Sequence, residues 1–139
     1  MSDDISERCD AIEACYEYML GYAGQGLPAE RDSASGAEVR GYLTGAAQAL
    51  SGLADCYGQL VRELSLEPRE KYQAFLMVLD RDGRDALAAI EMVLAQPAIS
   101  SQLIDNLNAS LHIRALLTDL FLIDELLDAR KQEQRVATS

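Results

Sequence analysis

Histidine occurs once in this 139-residue sequence, cysteine three times, and Lys and Arg together only 12 times against 23 Asp and Glu. Each shortage narrows what the protein can do. A single histidine, His112, supports neither a serine–histidine constellation nor a zinc ligand set, so hydrolytic and metal-assisted catalysis have little to rest on. Cys9, Cys15 and Cys56 form neither an even disulfide framework nor a CxxC pair. A formal charge of −11 repels phosphate backbones and anionic lipid headgroups, which argues against nucleic acid and membrane surfaces as partners. The one basic cluster, Arg130, Lys131 and Arg135, suits a helix C-terminus followed by a frayed tail.

Motifs are missing as well. The chain has no phosphate-cradling glycine loop ending in lysine and no Glu-x-x-His pair of the kind a carboxylate di-iron bundle needs. Asp80-Arg81-Asp82-Gly83-Arg84-Asp85 has glycine fourth, where a calcium loop needs it sixth. His112 is followed by Ile113 and Arg114, without the lysine and glycine expected beside a phosphorelay histidine. No uninterrupted apolar run reaches the length of a bilayer, and the opening Met-Ser-Asp-Asp-Ile-Ser-Glu does not form a signal segment. The expected setting is a reducing cytoplasm, with no metal or cofactor and no enzymatic activity.

What is present is helical periodicity. Hydrophobic residues make up 49% and charged residues 25% of the chain, ordinary for a globular protein, and 139 residues suffice for one domain with a real core. A first helix is expected over about 4–23, its core face written by Ile5, Cys9, Ile12, Tyr16, Met19 and Ala23, with Ala11, Cys15, Tyr18 and Tyr22 as a second stripe. The glycine- and proline-bearing stretch 24–35 reads as a mobile connector. Ser35 with Glu38 is a capping-box pattern opening a helix over 36–64, whose face runs from Val39 and Leu43 through Leu50, Leu53 and Tyr57 to Leu64. A third helix, 68–95, begins at Pro68 and has Gly83 at the centre of its apolar face, leaving room for a mid-core cavity. Pro97 ends it, and Ser100 or Ser101 caps a fourth over 100–130. Four such helices predict an all-α, up-down-up-down antiparallel four-helix bundle over residues 1–139.

The fourth helix carries two apolar faces. Leu103, Ile104, Leu107, Leu111, Ala115 and Leu122 share one side and are expected to face the core. Ile113, Leu116, Leu117, Leu120, Ile123 and Leu127 lie nearly opposite, confined to the C-terminal half. A helix apolar on two sides is buried on two sides, so the second face is expected to form a homodimer interface, with Asp124 at its rim or meeting Arg130. On the second helix, Gly41, Gly45 and Gly52 fall on one line and are expected to form a groove for a partner backbone. Tyr18, Tyr22 and Tyr42 could line a small-ligand pocket near one end of the bundle. The expected function is a non-catalytic dimeric adaptor, chaperone or assembly factor binding another protein; the alternative is a bundle binding a small ligand at those tyrosines.

Overall fold

The structure, a computed structural model, describes residues 2–138. Within them the chain is all-helical, with six helices covering 82% of the sequence and no strand. The helices are α1 (Ser2–Gly24), α2 (Ala34–Leu50), α3 (Leu53–Glu63), α4 (Arg69–Leu94), α5 (Ser101–Ala109) and α6 (Leu111–Thr138). Four uninterrupted helices were expected; the second and the fourth are each broken once. α6 also continues through the stretch expected to fray.

The first break falls at Ser51–Gly52. Gly52 has φ +78°, a left-handed geometry that ends the α2 hydrogen-bond ladder and that glycine adopts without a Cβ clash. Arg8 of α1 stitches the break, its Nη1 donating to the carbonyls of Ala49 at 3.0 Å and Ser51 at 2.7 Å. One carbonyl at the end of α2, that of Ala49, and one just beyond it, that of Ser51, are thereby satisfied.

The second break has no glycine or proline. Ser110 takes an extended conformation, its N–H donating to the carbonyls of Asn106 and Leu107, and its Oγ donating to Leu107 O at 2.7 Å. A serine whose side chain competes for the helix's own carbonyls can close one helix and start another.

The break joins the two expected apolar faces into one. Ile113, Leu116, Leu117, Leu120, Ile123 and Leu127 are 0–6% exposed within the single chain, so they are its core and not a dimer interface. Ile104 and Leu107 of α5 are buried with them, whereas Leu122 is exposed. Two stripes about half a turn apart along one continuous helix become a single inward face once the phase slips at Ser110.

Capping differs in detail too. α2 starts two residues early, with Ser33 as its cap and its Oγ accepting from Gly36 N–H at 2.9 Å, in place of the Ser35–Glu38 box. A Cβ on Gly36 would lie 2.7 Å from that Oγ, so glycine is what lets the cap close. Ser100 caps α5, accepting from Leu103 N–H at 3.0 Å. The connector before α2 is anchored: Leu27 exchanges hydrogen bonds with Ser101, and the Ser101 hydroxyl donates to Tyr22 O at 2.6 Å. Arg40 similarly closes the end of α4, donating to the carbonyls of Leu94 and Gln96. Gly83 is buried, and Leu116 fills the space above it, 3.9 Å from where a Cβ would stand.

α1 packs chiefly on α2 and α5, while α4 packs chiefly on α6, α3 and α2. α1 and α6 hardly touch. That seam positions the site described next; a second groove, of about 670 Å³, lies between α3 and α4 and is lined mainly by charged side chains.

Candidate binding groove between α1 and α6

The seam is lined by the same spacing on both helices. Glu13, Tyr16, Glu17 and Leu20 of α1 face Arg114, Leu117, Thr118 and Phe121 of α6 across a groove of about 530 Å³. Residues three and four apart fall on one helical face, so each set forms a continuous wall. Farther along, Ile5, Ser6, Cys9, Asp10 and Glu13 of α1 face Asp124, Leu127, Asp128 and Lys131 of α6 across a second stretch of about 320 Å³, with Tyr57 and Leu60 of α3 as its floor. The two stretches share Glu13. Together they run the length of Ile5 to Leu20, about 22 Å at 1.5 Å per helical residue.

The halves differ in character. In the first, Leu20 is 48% and Phe121 58% exposed, both large apolar side chains on a rim with Tyr16 half-buried between them. The second is polar and mainly acidic, and beneath it lies a buried hydrogen-bonded chain. Tyr57, with 0% of its surface exposed, donates its hydroxyl proton to Asp124 Oδ1 at 2.5 Å. Since that proton is committed, the Cys9 thiol is the donor in its 3.2 Å contact with Tyr57 Oη.

The electrostatics follow from this crowding. Burial pushes the Asp124 carboxyl above its usual range; the Tyr57 hydroxyl opposes that, Asp128 adds to it, and Lys131 draws it back. Glu13 is likewise raised, first by burial and then by Asp10, Asp124 and Glu17. Burial holds the Tyr57 phenol protonated, and the carboxylate it donates to reinforces this. The Cys9 thiol is pushed up to about 11 and Cys15 to about 12, in each case chiefly by burial, so both are protonated at neutral pH and poor nucleophiles.

The residues singled out from sequence fare unevenly. Tyr18 and Tyr42 do meet, their rings stacked with centroids 4.2 Å apart and planes 15° apart, and Tyr22 lies 6.2 Å from Tyr18. They occupy one another's faces, and Tyr22 is buried with its hydroxyl donating to Ile99 O at 2.6 Å. Gly41 and Gly45 face open space on α2, whereas Gly52 is off their line because it forms the break between α2 and α3. Asp124, expected at a dimer rim, is half-buried under the α1–α6 seam. His112 is exposed, with Nδ1 3.9 Å from Asp85 Oδ2 on α4, away from the groove. All three cysteines are free.

The chain matches no family model, no curated protein sequence and no solved structure. The groove is therefore read from its own chemistry. Its key rim residues, Leu20 and Phe121, have no place in the periodic core faces. The signal for them in the sequence is that they are large apolar residues left over once those faces are assigned.

Proposed function

We propose that this protein is a non-catalytic helical adaptor, chaperone or assembly factor that holds another protein by seating one of its helices between α1 and α6. The observation that carries the reading is the pair of half-exposed rim residues, Leu20 and Phe121, facing each other across a seam that α1 and α6 leave open. Burying a large apolar side chain contributes about 1.5–3 kcal/mol, so covering the exposed halves of these two contributes roughly 2–3 kcal/mol, on the order of a hundredfold in affinity. A straight channel walled by two antiparallel helices fits a third helix, whose side chains enter it in the same three-and-four spacing. In this reading α2–α3 and α5–α6 are two rods, each broken once, of an up-down-up-down bundle with the α1–α6 seam left for a guest.

The alternative, a small planar ligand at Tyr18, Tyr22 and Tyr42, is less favoured, because Tyr18 and Tyr42 already stack on each other and a ligand would have to part them. A photoreactive phenylalanine analogue placed at position 121 tests the main reading in cells. It should capture one protein reproducibly, and Leu20→Lys should abolish the capture. The same probe at Met92, exposed on α4, should not capture it. Equal capture from positions 121 and 92 would defeat the assignment to this groove.

A further inference from the structure

The groove's charge says what kind of helix fits it. Along its length stand five carboxylates, Asp10, Glu13, Glu17, Asp124 and Asp128, against two cations, Arg114 and Lys131. The carboxylates are concentrated in the half remote from Phe121, and they disturb one another: Asp10, Asp124 and Glu17 all act on Glu13, and Asp128 acts on Asp124. A positive charge brought into that half would relieve several unfavourable interactions at once, and in a partly buried groove it would be screened less than at an open surface. A second copy of this chain is a poor occupant, because it would bring a body of charge −11 to an acidic channel.

Resting on the reading of the groove as a protein-binding site, we propose that its occupant is a cationic amphipathic helix of another protein. The apolar face of that helix sits between Leu20 and Phe121, and Lys or Arg side chains one to three turns away meet Asp10, Asp124 and Asp128. The apolar half supplies most of the affinity, and the acidic half sets the direction and selects the partner.

The test uses the full chain and three synthetic helical peptides of about 16 residues, matched to the groove at 1.5 Å per residue. The first has a leucine face flanked by lysines, the second has the same leucines flanked by glutamates, and the third keeps the lysines but replaces the leucines with glutamine. Fluorescence anisotropy should show the first binding about tenfold or more tighter than either of the others, and weakening as salt rises from low to physiological levels. Phe121→Ser should weaken the first two peptides, whereas Asp10→Asn combined with Asp128→Asn should weaken the two lysine-bearing peptides and leave the glutamate-flanked one no weaker. Equal binding of the first two peptides would overturn the cationic occupant while leaving the groove reading intact. Equal binding of the first and third would reduce the effect to general attraction by an acidic protein and overturn the proposal. Indifference of every peptide to Phe121→Ser would overturn the groove reading itself, and the proposal with it.

Discussion

Replacing Tyr57 with Phe removes one oxygen from the centre of the molecule and little else. The ring keeps its volume, so no large cavity opens, and the change isolates the hydroxyl's two bonds: donation to Asp124 at 2.5 Å and acceptance from Cys9 at 3.2 Å. A hydrogen bond to a charged group contributes about 1.5–3 kcal/mol, and the thiol bond adds less. The loss at pH 8 should therefore be about 2 kcal/mol, or roughly 6–10 °C in Tm for a chain of this size.

The sign of the pH dependence is fixed by Asp124. Burial already raises its pKa in the folded state, and the Tyr57 hydroxyl is the main influence holding it down. Without that hydroxyl the folded-state pKa rises further, so the variant loses additional stability as pH climbs through the carboxyl's range and is closest to the parent at low pH. Urea unfolding of both proteins at pH 5 and pH 8 measures the difference. A variant as stable as the parent at pH 8, or equally weakened at both pH values, would refute the placement of an ionised Asp124 against Tyr57.

Other expectations are simpler. Gly45→Ala should stabilise by up to about 1 kcal/mol, since its Cβ would meet open space within a helix, while Gly52→Ala should destabilise by about 1–2 kcal/mol because of its φ of +78°; thermal melts separate the two. Asp119, raised to about 7 by burial and by neighbouring Asp82, has a folded-state pKa above its unfolded one, so its protonated form supports the fold and stability falls as pH rises from about 4 to 7. Asp119→Asn should flatten that fall and raise stability at pH 8 by on the order of 1 kcal/mol, less than the full shift implies because solvent reaches part of the carboxyl, and unfolding curves across the pH range measure it.

Much of this architecture was legible in the residues, and the parts that were not have identifiable causes. The third helix, expected over 68–95, is α4 at Arg69–Leu94 because Pro68 and Pro97 punctuate it on both sides. The break at Ser110 has no such punctuation. It was nonetheless encoded: two apolar stripes on opposite sides of one helix, each confined to its own half, are what a single buried face looks like when the phase slips between them. Reading them as two burials produced a dimer interface from residues that the chain keeps for its own core. Gly52 was visible as a glycine but sat in a run whose apolar periodicity continues across it, and the carbonyls freed there are met by Arg8, 43 residues away from Ser51 in sequence. Contacts of that separation leave no mark on local pattern.

The site was harder to read for the same reason. Leu20 and Phe121 are unremarkable alone, and they become a rim only because α1 is drawn to α2 and α5 while α6 is drawn to α4. Asp124 was expected at a dimer rim or against Arg130; its partner, Tyr57, lies on a third helix. The tyrosine cluster was anticipated correctly as a cluster, since Tyr18 and Tyr22 are one turn apart, but not as a stack that fills its own space.

The central claim is that the seam between α1 and α6 is the binding surface. An amide-resolved NMR titration of the isotope-labelled chain with the leucine–lysine peptide tests it most directly. The account predicts that the perturbed amides cluster on the facing walls, residues 5–20 of α1 and 114–131 of α6, with the floor around Tyr57 following and the outer face of α4 around Met77 and Met92 unmoved. Perturbations centred on α3 and α4, or scattered without a focus, would contradict it.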